Sequence, residues 1–222
     1  MTEPVRRVVL GLDTAGPVVG VATWDGQRAF ERTARITRGT EEQLPRMIEE
    51  VCRAAAVGVR ELTAVGVVNG PGAFTGLRVG VASACGLAVA LRVPIWTTSS
   101  LLPRAMSAGF GRDLLVMLDA RKGRVYAAAW KNETLVHPPQ DVAPEVAIGW
   151  MPGPFRAMGE GAVEYLVLVE AAGGTVPSNV DAPGTGLLAR LTSEALARGE
   201  GIDPLAVSMD YLREPDAVRR AP

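Results

Sequence analysis

The chain has 222 residues, 48% of them hydrophobic and 21% charged, the mix of an ordinary globular protein, which excludes global disorder and fibrous repeats. Its 23 basic and 24 acidic residues give a net charge of -1, so there is no excess charge with which to grip a nucleic-acid backbone unaided. Cys52 and Cys85 lack a C-x-x-C spacing and His137 is the sole histidine, which excludes a disulfide framework, a thiolate or histidine zinc site and a histidine-based triad.

At this length the chain makes one large domain or two small lobes. Residues 1–4, followed by Arg6 and Arg7, run into a strand-like segment without the apolar region and cleavage site of a signal peptide. The expectation is a cytoplasmic protein. The longest uncharged apolar stretch, residues 79–91, is bracketed by Arg78 and Arg92 and falls short of the about 20 residues that cross a bilayer, so no membrane segment is expected.

Residues 8–12 and 18–24 are apolar runs joined by Asp13-Thr14 and the turn Gly16-Pro17, and residues 28–37 continue as a third, polar-alternating strand after Asp25-Gly26. The chain therefore opens with a meander. Leu44, Met47, Ile48, Val51, Cys52 and Ala55 then fall at helical spacing, with Thr40 and Gln43 as a capping-box signature and Gly58 as the stop. Residues 64–68 read as a buried strand, Asn69-Gly70-Pro71-Gly72 as an elbow, residues 75–91 as a second helix and residues 94–97 as a short strand. Ser99 or Ser100 caps a helix running through Met106.

The second half repeats the first. Residues 114–118 form an apolar strand ending in Asp119, and residues 125–130 form its partner after Arg121-Lys122-Gly123. This echo predicts a duplicated βββα plan with a lobe boundary near residues 107–111. The proline-rich residues 136–154 read as loop with one weak helical patch, residues 155–158 as a strand, and residues 162–172 and 187–197 as helices.

A strand ending in Asp and opening into a tight turn suits a magnesium-phosphate site, because the carboxylate can hold the metal while turn amides face the phosphate. Asp13 with Thr14 has that form, and Asp119 could supply a second carboxylate; the plainer reading makes both aspartates turn formers. The run from Asn69 to Arg78 sits between strand and helix, where amides can hold an anion, but no Lys-Ser/Thr follows its last glycine, so it is not a Walker loop. Gly76, Gly80, Ala84 and Ala88 place small residues on one helical stripe, which lets another helix come unusually close. Spacing alone leaves open whether that neighbour belongs to the same chain or another.

These residues together resemble the bacterial TsaB (YeaZ) family of the tRNA threonylcarbamoyladenosine pathway. The matching positions are Leu10-Gly11-Leu12-Asp13-Thr14, Glu42-Gln43-Leu44-Pro45 with Ile48, the Gly70 to Gly80 segment, Ser99-Ser100-Leu101, Asp119-Ala120-Arg121 with Val125-Tyr126, and Tyr211-Leu212-Arg213. Gly39-Thr40 departs from the family's usual His-Ser or His-Thr, and Asn69 stands where Arg is common. The resemblance implies an α/β, two-lobed actin-like ATPase (ASKHA) fold with pseudo-duplicated βββαβα lobes and a reduced second lobe. The expected division is 1–107 and 108–222, with the last segment packing back on the first lobe.

It also implies a non-catalytic scaffold with no catalytic residue and no metal site. Such a chain would partner a TsaD-like catalytic subunit and a TsaE-like ATPase, dimerise when alone, and meet tRNA only through the complex. ATP and magnesium would be used by the assembly and not by the isolated chain. The implied partner interface comprises Leu44, Met47, Ile48, Val51, Phe74, Gly76, Leu77, Gly80, Ala84 and Ala88, with Asp13, Thr14 and Asp119 as degenerate nucleotide-binding residues. The alternative is an independent small ATPase or kinase using Asp13 and Asp119 with magnesium. A metalloprotease is excluded by the missing H-E-x-x-H pair. Arg213, Arg219 and Arg220 read as a solvated basic tail or, in the complex, as tRNA contacts.

Overall fold

In the computed structural model, which describes residues 7–213, β1 (Val9–Asp13), β2 (Val18–Trp24) and β3 (Ala29–Arg35) form an antiparallel meander. After α1 (Thr40–Ala54), β4 (Ala64–Gly70) returns parallel to β1, and α2 (Phe74–Leu91) leads to β5 (Ile95–Ser99), parallel to β4. α3 (Leu101–Ala108) then carries the chain to a second sheet. There β6 (Leu114–Asp119), β7 (Val125–Lys131) and β8 (Thr134–Val142) form another meander. α4 (Pro144–Gly149), β9 (Phe155–Met158), α5 (Glu160–Glu164), α6 (Leu166–Ala171), β10 (Gly174–Thr175) and α7 (Thr185–Ala197) complete the described chain.

The two sheets run β3-β2-β1-β4-β5 and β8-β7-β6-β9-β10, so each strand of the first has its counterpart in the second. This duplicated order is the actin-like ATPase plan, and the second copy is trimmed: β10 has two residues where β5 has five. β1 and β6 hold the same central place, which sets Asp13 and Asp119 at equivalent strand ends.

β1 and β4 are covered on both faces, which is why they read as unbroken apolar runs and not as alternating ones. On one face Leu10, Leu12, Val65 and Val67 share a buried layer with Leu44, Met47, Ile48 and Val51 of α1 and Val81, Ala84 and Ala88 of α2. Each large apolar side chain fully buried there contributes roughly 1.5–3 kcal/mol. On the other face the sheet is floored by glycine: a Cβ on Gly11 would lie 2.9 Å from the backbone nitrogen of Ala189, and one on Gly66 would overlap Thr192. α7, although it follows the second sheet in sequence, lies in that trough across β1, β2 and β4.

Several elements differ from the sequence expectation for identifiable reasons. β8 occupies part of the proline-rich stretch read as loop. Pro138 and Pro139 are tolerated because β8 is an edge strand, where an absent amide proton costs no ladder bond, and the register jumps between Ala127↔Gln140 and Ala129↔His137. The helix expected over residues 162–172 is broken at Tyr165 into α5 and α6. The capping box does not form: Gly39, at φ 73°, is the N-cap of α1, and no side chain caps the helix. Left-handed backbone there favours glycine, which gives the Gly39 departure from the family pattern a local cause.

α2 meets the end of β1 through its small residues. A Cβ on Gly80 would overlap the Thr14 hydroxyl, and one on Gly76 would overlap the Thr14 carbonyl oxygen. Gly80→Val therefore overpacks a buried helix-strand contact. The expected outcome is a loss of about 1–3 kcal/mol of folding stability, read as a lowered denaturant midpoint at unchanged slope.

Candidate functional site

The loops after β1 and β4 meet where the two lobes join. Thr14 Oγ1 donates to Gly76 O at 2.8 Å, and Ala73 N donates to Ala15 O at 2.8 Å. Ser100, at the start of α3, donates from its amide to Gly70 O at 2.8 Å and from its hydroxyl to Pro71 O at 2.5 Å. The elbow is thus laced to β1 on one side and α3 on the other.

Asp13 lies at the centre of this lacing with no solvent exposure. Its Oδ1 accepts from Ala15 N at 2.8 Å, and its Oδ2 accepts from Arg104 Nη1 at 2.5 Å. Arg104, on α3, is 1% exposed, and the same Nη1 also donates to Ser100 O at 2.7 Å. Glu160, the first residue of α5, approaches from the second lobe. A Cβ built on Gly16 would stand 3.3 Å from Glu160 Oε1 and 3.5 Å from Arg104 Nη2. Burial pushes the Glu160 carboxyl above its ordinary value; the charge of Arg104 opposes the rise, and Asp181 and Asp13 add to it.

Magnesium wants near-octahedral oxygen ligands about 2.0–2.1 Å away. Both oxygens of Asp13 are engaged, one of them by a guanidinium, and the Thr14 hydroxyl is committed to Gly76. Asp119 closes its own turn, accepting from Arg121 N at 2.8 Å and pairing with Arg121 Nη1 at 3.1 Å. Among the described residues no group of three or more His, Cys, Asp or Glu could hold a metal ion. The residues present therefore do not fit a magnesium-nucleotide site. Asp13 and Thr14, expected as degenerate nucleotide-binding residues, serve here as lobe-junction anchors, and Asp119 closes a turn.

The interface reading also changes. Leu44, Met47, Ile48 and Val51 of α1, and Leu77, Gly80, Ala84 and Ala88 of α2, are buried within the chain's own first lobe. They are core residues because the amphipathic stripe of α1 and the small-residue stripe of α2 are the faces turned to the sheet. Gly76 touches Thr14, leaving Phe74 as the interface residue whose ring is partly open. The opposite side of α2 carries Val79, Ala82, Ser83, Gly86 and Val89, half-buried or exposed, with Val89 51% accessible. No charge interrupts it between Arg78 and Arg92. α2 is apolar all round, long and apolar enough to cross a membrane by composition alone, yet its inner stripe lies on β1 and β4.

A strap spanning residues 207–213 crosses the junction. Asp210 N donates to Asn69 O at 2.8 Å, and Asn69 Nδ2 donates to Ser208 O at 3.1 Å. The Tyr211 ring packs on Phe74 with centroids 5.1 Å apart, and its hydroxyl accepts from Arg78 Nε at 3.2 Å. Arg78 also lies over the Phe74 ring, 3.8 Å from its centroid. Beyond the junction, Arg213 donates from Nε to Asp141 Oδ2 at 2.7 Å and from Nη1 to Ala120 O at 3.0 Å, and Arg124 Nε reaches Asp141 Oδ1 at 2.6 Å. Arg213 is therefore an interlobe tie where the sequence suggested a tail residue; Arg219 and Arg220 lie outside the described residues.

The family model for TsaD, tRNA N6-adenosine threonylcarbamoyltransferase, matches residues 35–158. The chain is 32% identical over 220 residues to the uncharacterized protein ML0378 of Mycobacterium leprae, covering 95% of this chain and 56% of that one. It is 29% identical over 128 residues to the tRNA threonylcarbamoyladenosine biosynthesis protein TsaB of Escherichia coli, covering 56% of this chain and 55% of the relative. YeaZ from Pseudomonas aeruginosa superposes with a TM-score of 0.77 at 26% identity, covering 93% of this chain and all of that one. The chain belongs to the TsaB (YeaZ) family. It spans little more than half the length of the first two relatives.

In this TsaB-family chain the motif-rich elbow and the Tyr211-Leu212-Arg213 run are two halves of one contact, because Phe74 and Arg78 of the first receive Tyr211 of the second. No local pattern marks Arg104 as the partner of Asp13, since an arginine in the first turns of a helix reads as surface. For Asp141, burial pushes the carboxyl up, but the bonds from Arg213 and Arg124 outweigh it and hold it below its ordinary value. A depressed folded value gives stability that is full above the ordinary carboxylate range and lost as pH falls through the folded value. Asp141→Asn should thus cost about 1.5 kcal/mol near neutral pH, the scale of a charge-assisted hydrogen bond. Denaturant unfolding followed over pH should show the gap from wild type closing below about pH 4.

Proposed function

We propose that this chain is a non-catalytic docking subunit in the synthesis of threonylcarbamoyladenosine in tRNA. It acts in the cytoplasm, pairs with a TsaD-like catalytic subunit, and is joined by a TsaE-like ATPase; alone, it pairs with a second copy. ATP and magnesium are used by the assembly, and tRNA meets the chain only through it. Kinship with the Escherichia coli TsaB protein supports the pathway. The observation that supports the non-catalytic part is the burial of Asp13 against Arg104, which neutralises the strand-end carboxylate and removes it from solvent. For the same reason the chain is not read as an independent ATPase or kinase.

The outer stripe of α2, Val79, Ala82, Ser83, Gly86 and Val89, is the docking face in this reading. Its small, uncharged residues let a second helix approach closely, and Ala82, Gly86 and Val89 stand exposed on it while Val79 also touches the first lobe's own core. Reconstitution tests the whole reading: threonylcarbamoyl transfer to tRNA by TsaD and TsaE should fall at least tenfold when this chain is omitted, and an undiminished rate overturns it.

Gly86→Arg tests the face. Nothing lies within 4 Å of a Cβ at Gly86, and replacing a mid-helix glycine should keep or raise stability by up to about 1 kcal/mol. Size-exclusion chromatography with light scattering should show a folded monomer that no longer binds its partner. Full association of this variant would place the interface elsewhere.

A further inference from the structure

We propose that Arg104 is a resident countercation, a guanidinium built into the lobe junction where its charge does the work that a bound divalent cation does in a nucleotide-gripping cleft. Asp13 supplies a fully buried carboxylate from the first lobe, and Glu160 brings a second from the other lobe. Arg104 Nη1 is spent on Asp13 Oδ2 and Ser100 O, while Nη2 points to the Gly16 turn that Glu160 also approaches. Arg104 Nε is buried with no partner among the described residues. A guanidinium stays charged at any ordinary pH, so this position is never free of its cation.

The incomplete bonding of Nε marks charge balance, and not a complete hydrogen-bond set, as what holds the side chain there. Burying an ion pair is costly, and removing one member leaves an uncompensated charge that costs more still. Without the Arg104 side chain, two carboxylates from opposite lobes would face a guanidinium-sized space. That space should accept a small cation from solution.

The test uses Arg104→Ala, the double variant Asp13→Asn/Arg104→Ala and the wild type, each titrated with magnesium chloride and separately with methylguanidinium chloride to 5 mM. The thermal midpoint of Arg104→Ala should fall well below wild type and recover by several degrees with at least one cation. Recovery by magnesium marks a metal-like site, and recovery by methylguanidinium alone marks a shape-specific one. The double variant and wild type should respond to neither. If neither cation raises the Arg104→Ala midpoint, or if the double variant responds equally, the proposal falls. Should Arg104→Ala fail to fold on expression, refolding with 5 mM of either cation should return a severalfold larger soluble fraction than refolding without, and an unchanged fraction overturns the proposal. Isothermal titration of wild type with magnesium-ATP gives a check that needs no variant fold: no saturable binding up to 1 mM is expected, and saturable binding would overturn the assignment. The cation titration and the tRNA reconstitution can fail independently.

Discussion

The carboxylate of Asp13 is wholly removed from solvent, and one guanidinium cancels its charge. The rest of the lobe junction depends on that neutralisation. An unpaired charge in such a position would cost several kcal/mol, so the end of β1, the Thr14 to Gly16 turn and the first turns of α3 are held in one arrangement. Thr14 then has a fixed place from which to receive the glycine face of α2, and Ser100 a fixed place from which to bind the elbow. The strand-end carboxylate is thus a structural tie between β1 and α3.

The same junction shows how the motif-rich segment is held. Gly70 O accepts from Ser100 N, Ala73 N donates to Ala15 O, and Gly76 O accepts from the Thr14 hydroxyl, so the elbow is packed against its neighbours on both sides. Glycine is needed there because neighbouring backbone comes too close for a side chain.

How much could be read from the sequence follows from where each residue's partners lie. β1, β4 and β6 were legible because burial on both faces forces nearly continuous apolar runs, and the duplication was legible because each first strand ends in Asp. β8 was hidden, since an edge strand carries exposed polar residues and prolines that resemble loop. α2 was legible as a helix but not in its orientation: with an apolar residue set all round, no moment says which stripe turns inward, and the inner one proved to be Gly80, Ala84 and Ala88. Arg104 was illegible because the carboxylate it pairs with lies 91 positions away at Asp13, and the charge of Glu160 that it also feels comes from the second lobe. Local pattern cannot report a charge balance assembled from three distant segments.

The strap has a mechanical consequence. Tyr211 is fastened to Phe74 and Arg78 beside the first sheet, and two positions later Arg213 is fastened to Asp141 and Ala120 beside the second. Two peptide units form an almost inextensible tie rod, so the halves of the molecule cannot swing apart like jaws without first snapping one anchorage or the other.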